Sequence, residues 1–145
     1  MVDFSPLSEM CDLRQLMLDD TSIADLSPLS NLHRLAWLSL DGTAVTELSA
    51  LQGLAINYLF LNGTGVQDLR PLAQLTVLEI LMLTNTPVSD LAPLAGLTKL
   101  EALYLYGSQV TDTSPLVNLP DLTIHDGPDG SEFKPSARRK PKGRR

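Results

Sequence analysis

The sequence predicts a curved α/β solenoid, with parallel strands on its concave face and short helical turns or 3-10 segments on its convex side. Three observations predict it. A hydroxyl residue recurs as an anchor at Thr21, Thr43, Thr64, Thr86 and Ser108. Apolar residues stand eight, five and three positions before each anchor, and another stands two positions after it. Between anchors, Asp-Leu-Ser-Pro-Leu or a variant returns at 25–29, 47–51, 68–72, 90–94 and 112–116. The spacing is 22 residues, shortened to 21 between Thr43 and Thr64 by a deletion in a connecting segment, where it disturbs least. Self-similarity at such a period is the signature of stacked repeats.

Each unit opens with a strand. Leu13, Leu16 and Leu18 begin the first, and Leu35, Leu38 and Leu40 the second. Alternation sends the residues five and three before the anchor inward and their neighbours outward. The residue just before the anchor is Asp20, Gly42, Gly63, Asn85 or Gly107, types that tolerate the left-handed backbone of a sharp turn. The anchor hydroxyl is placed to bond the buried loop backbone. Ser-Pro at 27–28 and 114–115 then reads as a helix N-cap followed by proline at the first helical position. Arg70 and Ala92 replace that serine, which predicts weaker caps in their units.

Five full units cover 13–34, 35–55, 56–77, 78–99 and 100–121. Partial units flank them and complete a repeat domain over 1–125. Met1–Asp12 matches the second half of a unit, placing Phe4, Leu7 and Met10 at core positions, and Leu122–Ile124 starts another strand. A lone unit cannot bury its apolar face, so stability requires stacking on neighbours. Such arrays need polar caps, and none precedes Phe4. The expectation is therefore a C-terminal fragment of a longer array, or a small protein that pairs end to end.

The pattern resembles the leucine-rich repeat family, and most closely its short bacterial units of the internalin type. Leu78-Glu-Ile-Leu-Met-Leu-Thr-Asn-Thr-Pro-Val88 follows the family's L-x-x-L-x-L-x-x-N-x-L, with Thr86 where asparagine is usual. The resemblance covers 13–121. It implies a concave face presented to other proteins, on a surface or secreted protein.

Composition narrows the function. The chain has 145 residues, one cysteine and two histidines, which excludes a disulfide framework and a multi-thiolate zinc site. No apolar run is long enough to span a membrane. Met1-Val2-Asp3-Phe4 lacks the form of a secretory signal, so the default expectation is a cytoplasmic protein. Charge is unevenly placed. Residues 1–125 hold 14 acids and four bases, and residues 126–145 hold three acids and seven bases.

The outward strand positions carry most of the aromatic side chains. Trp37, Tyr58, Phe60, Ile80, Met82, Tyr104 and Tyr106 align as one adjoining patch, and only Phe4 and Phe133 lie elsewhere among the aromatics. Exposed patches of this kind mark interaction sites, and these residue types are enriched at binding-surface cores. The alternative is that they pack on one another and stabilise the sheet. Asp19, Asp41, Glu79 and Glu101 lie beside the patch against one base, Arg14, so the expected ligand is a protein or peptide, apolar with some positive charge.

Signals for chemistry are sparse. Asp3, Asp25, Glu47, Asp68, Asp90 and Asp112 form an acidic ladder. Stacked carboxylates bind calcium in some repeat folds, but the glycine-rich calcium signature is absent and each acid precedes a helical turn whose free N–H groups favour an anion. Capping is the expected role. His33 and His125 have no partner at ligand spacing, and Cys11 reads as a free loop thiol with no base supplied. No phosphate loop, nucleophile elbow or zinc motif occurs. The chain is therefore expected to be a non-enzymatic protein-interaction module, with no catalytic residue, cofactor, metal or small-molecule substrate.

The last twenty residues read as a basic disordered tail, 126–145. Its seven bases admit contact with nucleic acid, an anionic membrane or the chain's own acidic body, through 134–145, or none of these. Two rival functions follow: a structural C-terminal fragment of a larger receptor or sensor, and an electrostatic adaptor acting through this tail.

Overall fold

A computed structural model describes residues 3–127. The basic segment from residue 128 onward, with the disorder expected of it, lies outside the described residues. Six three-residue strands form one all-parallel sheet in chain order: β1 (Gln15–Met17), β2 (Trp37–Ser39), β3 (Tyr58–Phe60), β4 (Ile80–Met82), β5 (Ala102–Tyr104) and β6 (Thr123–His125). Each crossover carries one 3-10 segment, and no α-helix occurs among the described residues. The 3-10 segments are Ser27–Leu29, Ser49–Leu51, Arg70–Gln74, Ala92–Leu94 and Ser114–Leu116, with Ser5–Glu9 before β1.

The register repeats without a slip. Leu16, Leu38, Leu59, Leu81, Leu103 and Ile124 lie side by side at the strand centres. The one-residue deletion leaves this alignment unchanged, because it falls outside the strands. One continuous core results, filled from the strand side by residues such as Leu38 and Leu59 and from the convex side by Leu29, Leu51, Leu72 and Leu94. It thins at both ends. Leu13, Leu16 and Leu18 are only partly buried, and so are Val110 and Leu122. Phe4 and Leu7 pack on the core as expected, but Met10 does not: it is 51% exposed, because no unit stacks over it among the described residues.

The turns follow their sequence. Asp20, Gly42, Gly63, Asn85 and Gly107 all have positive φ, between 59° and 76°. The hydroxyls of Thr21, Thr43, Thr64 and Thr86 each donate to the carbonyl three residues back, at 2.7 Å. The bonds of Thr43, Thr64 and Thr86 are buried, where an unpaired acceptor would be costly, and that of Thr21 is part-buried. Ser108 differs: its Oγ accepts from the Val110 N–H at 3.4 Å.

The convex turns correct the capping assignment. Ser27 and Ser114 are not N-caps; they are the first residues of their 3-10 segments, and the N-cap positions are Leu26 and Thr113, without side-chain caps. The acid two residues upstream does the work. Asp3, Asp25, Glu47, Asp68, Asp90 and Asp112 accept the N–H of Ser5, Ser27, Ser49, Arg70, Ala92 and Ser114 at 2.9–3.0 Å. Arg70 and Ala92 therefore carry the same cap as the serines. In the aspartates that cap is an Asx-type turn, and Glu47 makes the corresponding bond with its longer side chain; either needs only an N–H from the residue it bonds.

Candidate interaction surface

Because each strand's central residue points into the core, its two neighbours point out and stack into columns. One column is Gln15, Trp37, Tyr58, Ile80, Ala102 and Thr123; the other is Met17, Ser39, Phe60, Met82, Tyr104 and His125. The Trp37 ring lies 5.3 Å from Tyr58, tilted at 52°, and 5.2 Å from Phe60 in an edge-on arrangement. Ile80 and Met82 continue the surface beside Tyr58 and Phe60, and Tyr104 follows beside Met82.

Six of the seven residues singled out from the sequence thus lie in one band across β2 to β5. Trp37, Tyr58, Phe60, Ile80, Met82 and Tyr104 are half-buried rather than fully solvent-facing, because neighbours one strand apart cover each other's flanks. Tyr106 is 41% exposed and sits beyond the end of β5, with no ring contact to the band among the described residues. Met17, at the band's outer corner on β1, is 65% exposed.

Sequence reasoning passed over one member. His125 lies in register with Tyr104, and their rings stack at 4.3 Å, 10° from parallel. The available signal was the partial unit itself: a strand beginning at Leu122 sets His125 in the outward column. His33 and Cys11 are exposed.

A polar rail borders the band. Asp19 Oδ1 accepts the Asp41 N–H at 3.0 Å, Asp41 Oδ1 the Asn62 N–H at 2.8 Å, and Asn62 Oδ1 the Thr84 N–H at 2.8 Å. Each side chain thus caps the backbone of the next unit. The Ser39 hydroxyl donates to Asp19, and this outward position is only 5% exposed. Burial beside this rail pushes the Asp41 carboxyl above its ordinary value; the Asn62 N–H opposes the shift, and the charge of Asp19 adds to it. On the opposite margin, just before β4 and β5, stand Glu79 and Glu101; Asn57 Nδ2 donates to Glu79 at 3.3 Å.

The convex acids differ in chemistry. Asp68 also receives Arg70 at 2.8 Å, and that guanidinium with the Arg70 N–H draws its carboxyl down to about 2. Bonds from the residue two positions on likewise lower Asp3, Asp25 and Asp112. Among the described residues, no three His, Cys, Asp or Glu side chains are grouped to hold a metal ion, and no helix is long and apolar enough to cross a membrane.

The in-register strands, the anchored turns and the unbroken leucine core define the class: the chain is a leucine-rich repeat protein with repeats of the bacterial, internalin-like kind. Two solved internalins of Listeria monocytogenes resemble it. Internalin C2 superposes with a TM-score of 0.81 at 36% identity, over 84% of this chain and 56% of that one. The internalin inlF gives 0.80 at 36% identity, over 85% of this chain and 37% of that one. A leucine-rich repeat protein of Leptospira interrogans shares the fold at 0.76, with 22% identity. The chain therefore spans little more than half of internalin C2 and about a third of the others. No known family profile matches the sequence, and no match was found among curated protein sequences.

Proposed function

We propose that this chain is a non-enzymatic interaction module that binds a protein or peptide on its concave aromatic band. The internalin-like fold supports a protein-interaction module in general terms. The observation that carries the choice of face is the continuity of the band: large apolar side chains fill adjoining outward positions on strand after strand, where solvation alone would favour polar residues. Half-burial matters here. Rings already fixed by their neighbours lose little side-chain entropy when a ligand covers them. The carboxylates at the margins favour a ligand with positive charge.

The ring contacts of Trp37 favour a second reading, in which the band chiefly stabilises the sheet. One experiment separates the two. The intact chain and a Phe60→Ser/Tyr104→Ser variant, both folded by circular dichroism, serve as bait in the source-cell lysate. A partner retained only by the intact chain supports binding through the band. Equal capture by both rejects it.

A further inference from the structure

We propose that the concave band is occupied, in the free protein, by the chain's own basic segment, residues 134–145; this rests on the band being a binding surface. The charge separation points there first. Residues 3–127 hold 15 acids and four bases, while the segment from 134 to the end holds seven bases and no acid. A basic segment tethered to an acidic body meets it at an effective concentration in the millimolar range, so even weak contacts are populated.

The chemistry selects the face. Arginine and lysine gain most where a carboxylate lies beside an aromatic ring, because the cation then pairs and stacks together. Trp37, Tyr58, Phe60 and Tyr104 all stand in the outward columns of the sheet. Glu79 and Glu101 flank Ile80 and Ala102 at one margin, and Asp41 stands at the other. Arg14, at the far end before β1, is the base on that margin. The convex acids offer carboxylates without an aromatic ring among the outward side chains beside them.

The distances permit it. The described chain ends at Gly127, directly after β6, where His125 lies against Tyr104. Lys134 is seven residues further, a reach of roughly 23 Å when extended. From β6 back to β2 is four strand spacings, roughly 19 Å. Twelve extended residues span that width with length to spare. Pro135 and Pro141 favour the extended form. In this arrangement a partner must displace the segment, which makes capture weaker at low salt than the band alone would give.

The test uses the full chain. Zero-length carbodiimide coupling joins lysine amines to carboxylates in contact, and peptide mapping of the monomer locates the joints. The expected joints link Lys134, Lys140 or Lys142 to Glu79, Glu101 or Asp41 within one chain. Trp37, the chain's single tryptophan, reports independently. Its emission should shift between about 0.05 M and about 0.5 M salt, and a variant with Arg138, Arg139, Lys140 and Lys142 changed to serine should lose that shift. Joints confined to the convex acids, joints between chains, absence of joints, or an equal Trp37 response in the variant would each overturn the proposal. Failure here leaves the band's partner capture intact in the lysate experiment, whereas equal capture by Phe60→Ser/Tyr104→Ser removes the underlying reading.

Discussion

Tyr104 and His125 stack almost parallel, with ring centroids 4.3 Å apart, across the last strand pair of the sheet. This contact extends the aromatic band onto β6 and holds down a strand with a neighbour on one side among those described. His125→Ala should cost about 0.5–1.5 kcal/mol in urea unfolding, with an unchanged circular dichroism spectrum. No loss would mean that the stack adds nothing beyond proximity.

The turn glycines should not be equivalent. Gly63 and Gly107 both have positive φ, so alanine at either costs roughly 1–2 kcal/mol in backbone strain. At Gly63 an added methyl meets only Gly42 backbone at 3.7 Å. At Gly107 it would run into the Asn85 carboxamide, with the Asn85 Cα 3.3 Å away. Gly107→Ala should therefore destabilise more than Gly63→Ala, as read by thermal unfolding midpoints.

The convex caps predict a simple deletion effect. Asp90→Ala removes the acceptor of the Ala92 N–H and should cost on the order of 1 kcal/mol. Ala92→Ser should change little, because the residue at that position supplies its backbone and not its side chain. A large gain from Ala92→Ser would restore serine as the cap.

Two acids should respond to pH in opposite directions. Asp68 is drawn down to about 2 by Arg70, so its contribution is present above the ordinary carboxylate value. That contribution is lost as pH falls through about 2, and the stability gap between the protein and Asp68→Asn should close over that range. Asp41 is raised instead, chiefly by burial. Its folded form binds a proton before the unfolded chain does, so acidification below neutrality should favour the native protein relative to Asp41→Asn. Unfolding midpoints of both variants across pH decide each case.

The sequence made the interior legible because the period recurs five times. Leu38, Leu59, Leu81 and Leu103 answer the same question at the same place, so the register could be read directly. The left-handed turn positions were legible for the same reason. What escaped were features set by geometry within a unit. Ser27-Pro28 has the form of a cap and first turn, but the bond comes from Asp25, two residues earlier, and the 3-10 segment starts at the serine itself. Ser39 stands outward by alternation but is buried, a small side chain between Met17 and Phe60 in its column, with its hydroxyl bonded to Asp19. His125 was legible from Ile124, whose inward position turns the next residue outward, but it was passed over because its unit stops resembling the others there.

The shorter unit carries a broader lesson. Leu38, Leu59 and Leu81 align alike although one of the two intervening units lacks a residue. The crossover absorbs the loss and the ladder does not sense it. Array size is consequently open to change by copy number: duplicating one unit in frame would add a single rung, about 4.8 Å, with its own pair of outward side chains. Ligand footprint could thus evolve by genetic slippage, unit by unit, without redesign of the interior.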